Sequence, residues 1–270
     1  MELFLTSPFA ELWEDADPFE RAFAIQGENY RDMGDRKTLR FEVKGRGYFI
    51  KTHAGVGFGE IFKNLLYLRL PVLGAANEFR AINRLHDLGV DTMTAAAYGR
   101  QGGNPAKQKS FLITEALEPT QPLDQYLNPE VLQQLGVRER RSLVRKLAQM
   151  TRSLHHNGVN HRDCYLCHFL IDTSDHLEET SPSRRPIYLI DLHRVQIRNR
   201  TPGRWRRKDL AGMLYSGRLV GFNDRDALCF MRAYEHKSLR DSFKNATFWK
   251  KISREATKLF EKGERKGYHE

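Results

Sequence analysis

Cysteine is scarce in this chain: Cys164, Cys167 and Cys229 are the three among 270 residues. So few, and an odd number, argue against a disulfide scaffold and for a reducing compartment. No run approaches the ~20 continuous apolar residues that cross a bilayer as a helix. The start, Met1-Glu2-Leu3-Phe4, has no basic stretch and acidic residues soon follow, so it is read as carrying no secretory signal. Internal repeats and low-complexity tracts are lacking. Acid is also in deficit, 34 Asp and Glu against 44 Lys and Arg, for a formal net charge of +10. That excess asks for an anionic partner: acidic lipid, phosphorylated glycan, acidic protein or nucleic acid. No basic platform interleaved with aromatics stands out for stacking bases, so nucleic acid is not expected.

What is present is ordered along the chain. Residues 38–43 alternate as a strand, Lys44-Gly45-Arg46-Gly47 reads as a turn, and residues 48–52 form a second strand. Gly45 and Gly47 sit too close to Lys51 to cradle a phosphate, and they are assigned to closing that hairpin. A nucleotide-covering turn falls one hairpin earlier, at Arg31-Asp32-Met33-Gly34-Asp35, with Gly34 its one glycine. Phe79, Ile82 and Leu85 recur at helical spacing, stopped by Gly89. Residues 110–114 form a buried-type strand that runs into a Pro-punctuated hinge from Glu115 to Pro122. Beyond it, Leu143, Leu147, Met150 and Leu154 make the apolar stripe of a long basic helix ending at Asn157-Gly158. Residues 169–171 and 187–190 are short strands. The polar stretch between them, 173–186, is read as mobile, and the chain from Asp209 onward as helices.

The densest chemistry lies in His161-Arg162-Asp163-Cys164-Tyr165-Leu166-Cys167-His168-Phe169-Leu170, followed by Tyr188-Leu189-Ile190-Asp191. The spacing resembles the catalytic segment of protein kinases, in which one aspartate orients the attacking hydroxyl and a second, at a strand end, holds Mg²⁺ on the nucleotide phosphates. Phosphoryl transfer needs positioning and charge neutralisation more than covalent work. Lys51, in mid-strand, is the candidate for the phosphates, and Glu78 on the next helix is the carboxylate that would hold it. Asp163 is the candidate catalytic residue and Asp191 the metal ligand. The expected fold is therefore α+β: a protein-kinase-like, two-lobed domain. Its small β-rich lobe spans 1–115 and its larger helical lobe 116–270, with ATP and Mg²⁺ between them.

Two positions depart from that pattern. His168 stands where a second metal-binding asparagine is usual, and imidazole is a poor ligand for a hard cation. His168 is therefore carried as a metal position, with phosphate contact and a structural role left open. Asp191-Leu192-His193 replaces Asp-Phe-Gly, and no Ala-Pro-Glu follows, which argues against regulation by an activation loop. Cys164-Tyr165-Leu166-Cys167-His168 also spells the haem-attachment string C-x-x-C-H. Without an export signal, or further ligands at zinc spacing, it reads as two small thiols packing the loop.

Residues 161–170 resemble the catalytic loop of the bacterial lipopolysaccharide kinases, and among these the core heptose(I) kinases. Arg204-Trp205-Arg206-Arg207-Lys208-Asp209-Leu210-Ala211 resembles the same family. The likeness extends from the first strands to about residue 220. It implies ATP- and Mg²⁺-dependent phosphorylation of the first inner-core heptose, by a cytoplasmic protein peripheral to the inner membrane. Carried over by position, Lys51 and Glu78 would be the nucleotide pair, Asp191 the metal ligand, and Asp209 would steady the catalytic loop; Gly34 and Glu115 are further candidates for the nucleotide.

The acceptor, a lipopolysaccharide core with acidic sugars and lipid phosphates, suits the arginines after Asp191. Arg198, Arg204, Arg206 and Arg207 are the candidate acceptor contacts, because guanidinium matches such anions bidentately. Phe58 to Leu70 carries an apolar face interrupted by Lys63 and Arg69. It reads either as a core helix or as an amphipathic segment meeting the membrane or an acidic protein. Two alternatives remain for the whole chain: a kinase of protein or of another small molecule, and a non-catalytic module binding anionic partners.

Overall fold

Alternating residues build the hairpin of β3 (Arg36–Val43) and β4 (Arg46–His53), which pair with Val43 opposite Arg46. The two-residue turn between them, Lys44-Gly45, has both φ angles positive, 50° and 74°. A turn of that hand follows the twist of the strands, and Gly45 takes its conformation without a Cβ penalty. In this computed structural model of the chain, residues 1–32, 36–55, 74–104, 107–177 and 180–265 are described. Gly34 and the Phe58–Leu70 segment lie outside them.

The chain divides into two units. One comprises Met1–Arg84, Met93–Glu118 and Leu192–Arg194; the other comprises Leu85–Thr92, Pro119–Asp191 and Val195–Glu270.

The first unit is an antiparallel six-stranded sheet in the order β1-β5-β6-β4-β3-β2, with β1 Glu2–Leu5, β2 Glu28–Asp32, β5 Ala95–Gln101 and β6 Lys109–Glu115. Period-two alternation gives the sheet two working faces. Ile50, Ala97, Phe111 and Ile113 point into one core with Phe9 of helix α1 (Phe9–Leu12), Trp13, and Phe19 of α2 (Pro18–Ala24). Their neighbours point the other way: Tyr98 stacks on Phe79 of α3 (Ala76–Asp87), ring centroids 4.3 Å apart. Lys51, next to Ile50, faces α3 for the same reason.

The second unit is mainly helical. Its strands are short: β7 (Thr120–Pro122), β9 (Phe169–Asp172) and β10 (Ile187–Leu189) form one antiparallel sheet, and β8 (Val159–Asn160) pairs with β11 (Gln196–Ile197). Two short helices, α4 (Leu123–Tyr126) and α5 (Pro129–Gln134), precede α6 (Val137–His156). Leu143, Leu147, Ala148 and Leu154 form the buried stripe of α6. Helices α7 (Gly203–Leu219), α8 (Asp224–Glu235), α9 (Leu239–Ser242) and α10 (Ala246–Glu264) complete the unit, with Leu210, Tyr234, Ile252 and Ala256 in a shared core. The stretch from 173 to 186, expected to be mobile, is tied down at its described residues. Ser183 N–H donates to Glu139 (2.6 Å), Lys146 donates to the Arg185 carbonyl (2.6 Å), and Arg185 is itself buried. Polar composition disguised a segment held by hydrogen bonds to its backbone.

Candidate active site

In the first unit the alternation of β4 delivers Lys51 to Glu78. Lys51 Nζ lies 2.6 Å from Glu78 Oε1, and Glu78 is 2 % exposed. A carboxylate so buried is tenable because the ammonium neutralises it. Asn77, beside it on α3, donates to the His193 carbonyl at 3.0 Å. Two residues along β4, His53 is held neutral: burial, then the charges of Arg36, Lys51 and His193, lower its pKa to about 4. Glu115 closes β6 opposite Tyr48, half-buried.

In the second unit, helix α7 holds the loop from His161 to His168 along one face. The Asp209 carboxylate accepts the backbone N–H of His161 (2.7 Å) and of Arg162 (2.8 Å). One turn on, a Cβ at Gly212 would stand 2.7 Å from the Cys164 carbonyl oxygen, so only glycine permits this approach. A further turn on, Ser216 Oγ accepts the Leu166 N–H at 3.0 Å. The spacing 209, 212, 216 is a helix face, and each member serves the loop backbone. Asp209 is fixed in turn by His155 Nε2 at 3.2 Å, whose Nδ1 meets Tyr234 Oη at 2.9 Å, all within the core.

The loop thus anchored carries Asp163 and His168. His168 Nδ1 donates to the Asp163 carbonyl at 2.7 Å, and its Nε2 lies 3.5 Å from Asp191 Oδ2. Burial opposes a charge on this ring. The Cys167 side chain, the Asp163 carbonyl and the Asp191 carboxylate outweigh burial and raise its pKa to about 9. Lys208 Nζ lies 3.7 Å from Asp163 Oδ1. His161, at the head of the loop, is kept neutral by burial and sits with Nε2 2.9 Å from the Ile190 carbonyl, next to Asp191. Arg162 (φ 77°) and Asp191 (φ 60°) hold left-handed backbone conformations uncommon for non-glycine residues. Strain of this kind concentrates where side chains must be aimed. Cys164 and Cys167 are free thiols, and burial pushes the Cys164 thiol well up.

The four arginines marked in the sequence part company. Arg198 bonds Asn160 Oδ1 (2.7 Å) and Gln196 Oε1 (2.6 Å); burial and the charge of Arg204 lower its pKa. Arg204 lies over the Trp205 ring, 4.8 Å from its centroid. Arg206 instead covers Phe248, and Arg207 pairs with Glu255 at 3.1 Å, so both turn toward α10. Sequence reading missed the cations gathered on Trp205: the Arg162 guanidinium at 5.1 Å, that of Arg204, and Lys208 Nζ at 6.0 Å. An indole face attracts cations, and the string Arg-Trp-Arg-Arg-Lys was the available signal.

Among the described residues no cluster of three His, Cys, Asp or Glu side chains suits a metal ion. That disfavours a protein-only cage. Mg²⁺ commonly takes one or two carboxylates and completes its shell with water and substrate phosphate; the hard carboxylate oxygens of Asp191 would be a donor of that class.

A small antiparallel β-lobe with a lysine–glutamate pair, joined to a helical lobe whose catalytic-type loop precedes an aspartate at a strand end, defines a protein-kinase-like α+β protein. The family profile described as "Lipopolysaccharide kinase (Kdo/WaaP) family" matches residues 20–234, and the chain belongs to that family. It is similar to the lipopolysaccharide core heptose(I) kinase WaaP of Pseudomonas aeruginosa, at 47 % identity over 99 % of both chains. It is likewise similar to that of Escherichia coli, at 45 % identity over 97 % of this chain and 98 % of the relative. Among solved structures, one described as "WaaP in complex with acyl carrier protein" superposes with a TM-score of 0.83 and 42 % identity, covering 96 % of this chain and all of that one. Among the described residues no helix is long and apolar enough to cross a membrane.

Proposed function

We propose that this protein transfers the γ-phosphoryl group of ATP to a hydroxyl of the first heptose in the lipopolysaccharide inner core; its relatives are named lipopolysaccharide core heptose(I) kinases. The observation that carries the reading is the linkage of Asp163 and Asp191 through one imidazole on an anchored loop. Asp163 orients the acceptor hydroxyl and takes its proton; Asp191 would hold Mg²⁺, whose charge would offset that of the phosphates. Lys51, fixed by Glu78, takes the nucleotide phosphates, with Glu115 as a further nucleotide contact. His168, carried from the sequence as a metal position, has both ring nitrogens engaged and acts as an internal cation beside Asp191.

Arg204 and Arg198, two neighbouring cations, are proposed to meet acidic groups of the acceptor. Arg206 and Arg207 contribute by fixing that face to α10. We place the protein in the cytoplasm, peripheral at the inner membrane where a lipid-anchored acceptor is presented.

An acidic acyl carrier protein is the proposed macromolecular partner. A cavity of about 590 Å³ in the second unit, lined by Val144, Leu147, Met213, Phe230, Met231 and Trp249 among others, supports this: it offers an acyl chain an apolar berth. The test of the activity is mass spectrometry of lipopolysaccharide from cells lacking the protein, complemented with the native chain or with Asp163→Ala. A core short of one phosphate, restored only by the native chain, is expected; an unaltered core would refute the assignment.

A further inference from the structure

Between Asp163 and His168 the catalytic loop carries no lysine or arginine, and the guanidinium of Arg162, the residue before Asp163, lies over the Trp205 ring. From Asp163 to His168 the chain reads Cys164-Tyr165-Leu166-Cys167, all uncharged in their protonated forms. The group in flight needs a cation. As the bond to the β,γ-bridging oxygen lengthens and the bond to the sugar oxygen forms, negative charge spreads over three equatorial phosphoryl oxygens and onto the departing oxygen of ADP. Mg²⁺ and Lys51 serve the donor side. The acceptor side, where Asp163 adds a further negative charge, calls for its own counter-charge.

We infer that Lys208 supplies it: a catalytic lysine delivered from helix α7 instead of from the loop, contacting the transferring phosphoryl group next to Asp163. This rests on the proposed reaction. Lys208 Nζ is 3.7 Å from Asp163 Oδ1, and its side chain is 40 % exposed, against 19 % for Asp163, so the ammonium is accessible to an incoming substrate. Its direction is set twice. The Trp205 ring lies 6.0 Å from Nζ, and the adjacent Asp209 binds the backbone of the loop that carries Asp163. Hydrogen bonds from Asp209 and Ser216 thus tie the helix that carries Lys208 to the loop that carries Asp163. The step balances without a new co-reactant. The sugar hydroxyl loses its proton to Asp163 as its oxygen bonds phosphorus, ADP leaves with the electrons of the broken P–O bond, and Lys208 stays protonated throughout.

The decisive variants are Lys208→Ala and Lys208→Arg, compared with Asp163→Ala. With Mg²⁺, ATP and dephosphorylated core as acceptor, Lys208→Ala should lower kcat about 10²- to 10³-fold, while KM for ATP and for acceptor stays within about threefold; Lys208→Arg should recover part of the loss. A second readout avoids turnover. Thermal stabilisation by Mg²⁺, ADP and aluminium fluoride, a mimic of the planar phosphoryl group, should fall in Lys208→Ala, while stabilisation by Mg²⁺ and a non-hydrolysable ATP analogue persists. A kcat within threefold of native, or equal loss of stabilisation by both nucleotide complexes, would overturn the assignment. Should Lys208→Ala fail to fold, Lys208→Gln takes the same measurements. Full activity in Asp163→Ala would overturn the reaction itself and Lys208 with it.

Discussion

His168 presents Nε2 to Asp191 across 3.5 Å while its Nδ1 is bonded to the Asp163 carbonyl. One ring therefore sets the spacing between the loop proposed to face the acceptor and the aspartate proposed to hold the metal. Loss of a group that orients catalytic carboxylates typically costs 10- to 100-fold. His168→Ala should lower kcat by that range and raise the Mg²⁺ concentration needed for half-maximal rate; His168→Asn, which keeps a donor to the carbonyl, should lose less. Equal rates and equal Mg²⁺ dependence in all three proteins would contradict this role.

Gly212 and Gly203 lie on the same helix and should answer differently to alanine. A Cβ at 212 meets the Cys164 carbonyl at 2.7 Å, whereas one at 203 meets nothing within 4 Å. Gly212→Ala should displace the catalytic loop, costing about 1–3 kcal/mol of stability by overpacking. A shift of about 1 Å in the loop can cost kcat of the order of 10²-fold. Gly203→Ala should be neutral or slightly stabilising. Urea unfolding and steady-state rates on the two variants decide it.

The Lys51–Glu78 pair should govern the nucleotide and leave the acceptor alone. A charge-assisted bond to phosphate is worth about 1.5–3 kcal/mol, so Lys51→Met should weaken ATP binding about 10- to 100-fold by calorimetry. Glu78→Gln leaves the lysine in place without its anchor and should weaken binding less. Acceptor KM is expected to stay unchanged in both.

His53 predicts a pH dependence of stability. Its pKa is about 4 in the folded chain, set by burial and then by Arg36, Lys51 and His193, against about 6.5 when unfolded. Between those values the unfolded chain binds a proton that the native one excludes. Stability should therefore be intact above pH 6.5 and fall as the pH drops toward 4. His53→Asn should flatten that part of the curve in urea titrations, and an unchanged slope would assign the effect elsewhere.

Much of the architecture was legible because it obeys simple periods. Residues 38–43 and 48–52 alternate, Leu143 to Leu154 repeats at helical spacing, and β9 and β10 are compact apolar runs. Strand β5 escaped notice: Ala95-Ala96-Ala97 shows no alternation, although the sheet uses both of its faces. Strand β1 and the helices that follow were missed because their partners, β5 and the sheet core, are remote in sequence. Lys51, Glu78, Asp163 and Asp191 were candidates from spacing and resemblance, and the structure pairs the first two. The service of Gly212 and Ser216 to the loop could not, because it depends on how closely a helix passes a backbone. The split among the arginines had the same cause: consecutive residues on a helix point in different directions, so Arg204 reaches Trp205 while Arg207 reaches Glu255.

The most direct measurement is phosphate transfer by the purified chain from γ-labelled ATP to dephosphorylated lipopolysaccharide core, with native protein and Asp163→Asn side by side. Label on the first heptose with the native chain, falling at least a thousandfold with Asp163→Asn while nucleotide binding persists, is the expected result. Transfer at a native rate by Asp163→Asn, or no transfer to heptose by the native chain, would contradict it.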